Sequence, residues 1–128
     1  MICPCGSNLT YETCCGIFHS GQQIAPTAEA LMRSRYSAFA KQEIAYLKET
    51  TWSPYQKHFD EKGYLARSQN SIWLSLNIEA TEAGTETDTK GTVTFTAKSM
   101  VEGQMEEQRE KSLFQKKNGR WYYVKPIG

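Results

Sequence analysis

The sequence has no cysteine after residue 15, only two histidines, no long apolar run and no surplus of either charge, with 15 basic against 14 acidic residues. Each shortage excludes something. A disulfide-stapled fold distributes its cysteines through the chain it has to hold, and residues 16–128 contain none. Balanced charge supplies no global field to recruit nucleic acid or an anionic membrane. No stretch approaches the roughly 20 apolar residues that span a bilayer, so membrane insertion is not expected. The start, Met-Ile-Cys-Pro-Cys, lacks the charged-then-apolar pattern of an export signal. Free thiols without such a signal point to the reducing cytoplasm. At 128 residues the chain has the size of one domain and can bury roughly two-thirds of the surface its unfolded form exposes.

What is present is concentrated at the beginning. Cys3, Cys5, Cys14 and Cys15 are all the cysteines there are, and four thiols in so short a stretch can saturate one tetrahedral metal ion. Neighbouring cysteines such as Cys14 and Cys15 bridge each other only with a strained backbone. Cys3 and Cys5 project from a sharp turn around Pro4, and Cys14 and Cys15 arrive from the other side. Gly6-Ser7-Asn8 gives a tight bend whose N–H groups can point at sulfur. An alternative set uses His19 in place of one cysteine. The expected ion is structural zinc. A closed four-ligand set leaves no position for substrate, so the metal is not expected to be catalytic. Residues 1–20 hold almost no apolar material for a core and would be disordered without the metal.

After the polar connector Ser20–Pro26, Thr27 reads as a helix N-cap. Leu31, Met32, Tyr36 and Phe39 follow at helical spacing. A second helix is expected at about 42–50, and a third short one within 55–70, ending in a Ser-Gln-Asn-Ser loop. The period then changes. Ile72, Leu74, Leu76 and Ile78 form the apolar side of a strand, and a turn over 82–91 leads to Val93, Phe95 and Ala97 on the next. Glu102-Gly103 turns the chain into a strand over about 105–117, and Asn118-Gly119 is a strong hairpin signal before a last strand at 120–125. Helices first and an antiparallel meander afterwards describe an α+β domain.

Cys3-Pro-Cys-Gly-Ser7, Tyr11 and Cys14-Cys15-Gly16 resemble the SEC-C motif, a small zinc knuckle found in the protein-translocation ATPase and in many other bacterial proteins. Ser20 to Phe39 and Glu110 to Val124 are similar to the YchJ family, in which such a knuckle precedes a nuclear transport factor 2-like domain. The resemblance implies a knuckle over 1–20 and, over 27–128, a cone of helices packed on a curved antiparallel sheet of about four strands. It maps the zinc ligands onto Cys3, Cys5, Cys14 and Cys15, and implies a protein partner for the knuckle. Many members carry a second, C-terminal knuckle, and this sequence stops at Gly128 without one, which puts any function needing two zinc modules in doubt.

Domains of this type serve as dehydratases, isomerases and plain binding modules, so fold alone names no activity. Candidate pocket residues are Arg33, Tyr36, Trp73, Glu110 and Ser112, with Trp121 and Tyr123 as further aromatic walls and Arg35 turned away from Arg33 and Tyr36. The plainer reading makes Arg33 and Glu110 a structural ion pair and places His58 on a solvated loop. Nothing forms a recognisable acid–base pair. The sequence therefore favours a zinc-binding interaction or adaptor module over an enzyme. The alternatives are a small-molecule binder or lyase/isomerase-like enzyme using the cone, and an RNA- or ribosome-associated protein using the basic C-terminal stretch.

Overall fold

The computed structural model describes residues 1–128. Thr27 caps the first long helix as its spacing predicts, accepting a hydrogen bond from the Ala30 N–H at 3.0 Å, a contact of about 1 kcal/mol. After a short helix α1 (Cys15–His19) come α2 (Ala28–Lys41), α3 (Ile44–Glu49) and α4 (Glu61–Asn70). Four strands follow, β1 (Ser71–Ala83), β2 (Lys90–Val101), β3 (Gln104–Lys117) and β4 (Arg120–Pro126). They form one antiparallel sheet in the order β1-β2-β3-β4. Asn118 and Gly119 both take positive φ, 53° and 80°, as a two-residue hairpin turn requires.

Two segments differ from their sequence patterns. The stretch 55–70 is two elements: a 3₁₀ turn over Ser53–His58, then α4, which Asp60 caps by accepting from the Gly63 N–H. The expected Ser-Gln-Asn-Ser loop is instead the end of α4, running straight into β1. Ser68 is buried there and its hydroxyl donates to the Phe39 carbonyl, which pins the last turn against α2. In β1 the apolar side is not the one alternation predicts. Ile72 and Leu74 are exposed, while Trp73, Leu76 and Ile78 pack against the core. The register explains it: Trp73 pairs with Ser99 and Ser75 with Lys98, so Leu74 is an extra residue, and side-chain alternation restarts beyond it. A second irregularity follows between Ile78 and Ala80. Such bulges bend and twist a strand, which here curves the sheet toward the helices.

The core lies between α2 and the concave side of the sheet, built around Leu31, Leu47, Val93, Phe114 and Trp121. The segment after α3 runs along the outer edge of β4, with reciprocal backbone hydrogen bonds of 2.8 Å from Trp52 to Tyr123 and from Tyr123 to Thr50. α2 is buried nearly all round, Ser34 and Ser37 included. One side faces the sheet. The other is covered by the cysteine segment.

Candidate metal centre and cone cavity

The cysteine segment is folded by its own backbone. The Cys3 N–H donates to the Leu9 carbonyl at 2.8 Å and the Tyr11 N–H to the Met1 carbonyl at 2.9 Å, which closes the loop between the two cysteine pairs. Gly6 takes φ +86°, and a β-carbon there would stand 3.1 Å from the Leu76 carbonyl oxygen of β1, so the bend is pressed against the sheet edge. Glycine alone suits both demands.

The four Sγ atoms lie within 4.8 Å of one another. A tetrahedral ion with thiolate bonds of about 2.3 Å requires sulfur–sulfur edges of about 3.8 Å, and Cys5 and Cys14 already stand 3.7 Å apart. Cys3, Cys5 and Cys15 are buried and Cys14 is half-buried. Donor chemistry, number and spacing fit a closed four-sulfur metal site. The Cys5 thiol is pulled down to about 4 by the hydrogen bond from Cys15, helped by the Ser7 hydroxyl and backbone N–H, against the opposing effect of burial. Cys15 is held up by that same hydrogen bond and by burial. The loop thus favours the thiolate, the form that binds metal, at Cys5, while Cys14, through burial, and Cys15 are held toward the thiol. The Ser7 hydroxyl meets Cys14 Sγ at 3.2 Å and the Ser37 hydroxyl meets Cys3 Sγ at 3.4 Å. Hydroxyls therefore share with backbone N–H groups the role of supporting the sulfurs.

His19 is not a ligand in this arrangement. Its Nε2 stands 2.8 Å from the Ser34 carbonyl, which can only accept, so Nε2 carries the proton. Its Nδ1, 2.6 Å from Tyr11 Oη, then accepts from the phenol. Burial, then the neighbouring Glu43 charge, raises Tyr11 to about 12, keeping it a donor. Both ring nitrogens are used, and the alternative set containing His19 falls away. The chain Tyr11–His19–Ser34 fastens the knuckle to α2.

Burial also lowers the His19 pKa, partly opposed by the Ser34 carbonyl. The unfolded chain then takes up the His19 proton before the folded one does. The stability contributed by the neutral ring is complete above about pH 6.5 and is lost as pH falls toward the folded value. Urea midpoints should therefore fall more steeply between about pH 7.5 and 5.5 in the wild type than in His19→Gln. Equal acid sensitivity of the two would exclude this role.

Arg33 belongs to the knuckle and not to the cone. Its Nε pairs with Glu29 at 3.0 Å, one helical turn back, and its Nη1 donates to the Cys5 carbonyl at 2.7 Å. The expected pairing with Glu110 is absent because the two side chains lie on opposite sides of α2. Arg33 instead brings positive charge beside a group of thiols that would be anionic with metal bound.

The cone holds a cavity of about 120 Å³. Tyr36, Trp73, Glu110 and Ser112 line it as expected, and so does Arg35, which the helical spacing had set aside. Glu110 accepts from the Ser112 hydroxyl at 2.6 Å, from Gln108 Nε2 at 3.0 Å and from Tyr123 Oη at 3.3 Å. Burial, reinforced by Glu110, raises Tyr123 above its ordinary value. Trp121 does not reach the cavity. It is sealed in the core, where Nε1 donates to the Pro26 carbonyl at 3.1 Å. His58 is exposed, as the plainer reading has it. Tyr64, Phe39 and Arg67 complete the wall, and no pattern in the sequence singled them out for it.

An α+β cone carrying an N-terminal four-thiol knuckle is the class that this geometry defines. Residues 27–126 match the family described as YchJ, middle NTF2-like domain, and residues 2–17 match the SEC-C motif; the chain belongs to the YchJ family. It is 38% identical over 127 residues to the UPF0225 protein GSU1048 of Geobacter sulfurreducens, covering 99% of this chain and 79% of that protein. With the UPF0225 protein Cgl1438/cg1626 of Corynebacterium glutamicum it shares 44% identity over 123 residues, 94% of this chain and 92% of the relative. The solution structure of RPA3114, a SEC-C motif containing protein from Rhodopseudomonas palustris, is similar at TM-score 0.90 and 35% identity over 100% of this chain and 98% of that one. The crystal structure of a SEC-C motif containing protein from Psychrobacter arcticus is similar at TM-score 0.86 and 28% identity over 99% and 82%. No helix is long and apolar enough to cross a membrane.

Proposed function

We propose that this chain is a zinc-binding interaction module, in which a structural ion on Cys3, Cys5, Cys14 and Cys15 holds a small surface in shape for a protein partner. The observation that carries it is the closure of the thiol set: four sulfurs within 4.8 Å of one another, three of the four cysteines buried, and α2 behind them. Thiolate ligands in a tetrahedral site suit zinc, and four of them leave no coordination position for a reacting group. The ion organises the loop and performs no reaction. Outside the sulfurs, Met1, Ile2 and Leu9 are exposed, with Ile2 bridged to Thr10 in a short antiparallel pair, so the loop presents apolar side chains together.

Nucleic acid is a poorer fit. Arg109, Lys111 and Arg120, which give the C-terminal stretch much of its positive charge, face Glu79, Glu82 and Glu49 at 2.9, 2.8 and 3.3 Å. Cations engaged in this way do not form a continuous track for phosphates.

Metal analysis of the purified chain should give one zinc per molecule, and none for Cys5→Ser. The adaptor role is tested with a photo-crosslinkable group on the knuckle in three forms: wild type, the double substitution Ile2→Asp with Leu9→Asp, and metal-stripped protein. One discrete partner that the wild type captures and the other two lose supports the reading. Identical capture by all three would sink it.

A further inference from the structure

Residues that line the cone cavity carry polar groups that the protein leaves without partners, and each of them can donate. Tyr36 is 3% exposed and its hydroxyl makes no hydrogen bond. The indole Nε1–H of Trp73 is likewise buried and unpartnered. Arg35 is 5% exposed, and its guanidinium uses only Nη1, donating to the Leu47 carbonyl at 2.9 Å and to Thr50 Oγ1 at 2.7 Å. It forms no ion pair. Buried polar groups are nearly always satisfied in folded proteins, so two unsatisfied donors beside an arginine with an unused edge, all around one cavity, require a reason. Each asks for an acceptor.

The one acid in the wall does not supply it. Glu110 is engaged by Ser112, Gln108 and Tyr123. At the open side, exposed Arg67 lies over the rings of Phe39 and Trp73 at 5.3 and 5.9 Å and donates to Gln108 at 2.7 Å. Arg35 and Arg67 against Glu110 leave the wall with one excess positive charge. The rest of it is flat and apolar: Phe39, Tyr64 and Phe95 join the rings of Tyr36 and Trp73. Its volume of about 120 Å³ is slightly below the roughly 150 Å³ that accommodates benzene in a closed apolar cavity, but it is open at the Arg67 side, so a single ring fits with its outer edge in the mouth. A ligand must therefore be small, planar, anionic and rich in acceptors.

We propose that the cone cavity is a binding site for a small planar carboxylate, with its anionic end on the free edge of Arg35 and its acceptors meeting Tyr36 Oη and Trp73 Nε1. The aromatic wall sandwiches the body of the ligand, and Arg67 at the entrance attracts the charge. Binding, with no bond made or broken, is the whole of the proposed activity. The site uses the side of α2 opposite the metal centre and does not depend on the adaptor reading.

Benzoate is the probe, titrated into the metal-loaded full chain and followed by backbone and indole N–H resonances, with neutral benzamide and cationic benzamidine as controls. Benzoate should bind saturably at one site, with the Trp73 indole among the shifted signals, and about tenfold more tightly than either control. Tyr36→Phe removes a hydroxyl that has no partner in the protein. It should leave the melting temperature unchanged or raised while weakening benzoate about tenfold. Ala97→Leu, which fills the cavity from β2, should abolish binding. The proposal is overturned if benzoate does not saturate, if benzamide binds as well, or if Tyr36→Phe binds benzoate as tightly as the wild type.

Discussion

Stripping the metal from the purified protein will lower the melting temperature of the whole chain, not of the knuckle alone. The cysteine loop buries sulfur where a domain would bury hydrocarbon: its small cluster consists of Cys3, Cys5 and Cys15 with Tyr11 and Cys14 against them. Without an ion to bind four thiolates, residues 1–20 have too little apolar surface to offset the entropy of ordering them. What they then release is the back of α2. Arg33 loses the Cys5 carbonyl, the Ser34 carbonyl loses His19, and Ser37 loses Cys3. Three hydrogen bonds at about 1 kcal/mol each amount to about 3 kcal/mol. For a chain of this size that corresponds to a fall of about 10 °C. Calorimetry with and without chelator, and again after zinc is restored, measures it; Cys5→Ser should match the stripped protein. An unchanged transition after complete metal removal would show that the knuckle hangs free of the cone.

The gathering of the four thiols was legible because cysteine chemistry is local: four thiols within thirteen positions have little else to do, and no distant residue had to be placed. The strands were legible for a similar reason. Asn118-Gly119 and Glu102-Gly103 state their own turns, and both pairs take positive φ in the structure. The cavity was only half legible. A helical wheel gives the angle of each residue on α2 but not which neighbour occupies each side. Arg33 and Arg35 were therefore assigned the wrong way round, since one α2 face meets the sheet and the other meets the knuckle. Ser34 and Ser37, two small polar residues off the apolar stripe, carried the signal, and both prove fully buried. The bulge at Leu74 was invisible for a different reason. Strict alternation of Ile72, Leu74, Leu76 and Ile78 describes one face only while pairing is regular, and the extra residue depends on β2, which the pattern of β1 does not contain.

The other large effect expected is at Trp121, and it concerns how β4 is tied to the start of α2. Trp121 is 1% exposed, the largest of the fully buried side chains. Its ring fills the core beneath α2, while Nε1 donates to the carbonyl of Pro26, the last residue of the connector before the N-cap. Trp121→Ala removes the ring and its hydrogen bond to that carbonyl. The cavity accounts for about 3–5 kcal/mol, and the lost hydrogen bond adds about 1 kcal/mol, since Pro26 is exposed and water can replace the indole donor. A loss near the low end already takes a large share of the roughly 5–15 kcal/mol that holds a domain of this size together. Trp121→Phe separates the two contributions, because it retains most of the ring and loses only the donor. It should cost about 1 kcal/mol more than a swap that loses no hydrogen bond. Urea denaturation reads both, with the slope unchanged if the folded state stays compact. A cost below about 1 kcal/mol for Trp121→Ala would mean that the core closes over the missing ring, and that β4 is held to the helices by its backbone bonds to Thr50 and Trp52 instead.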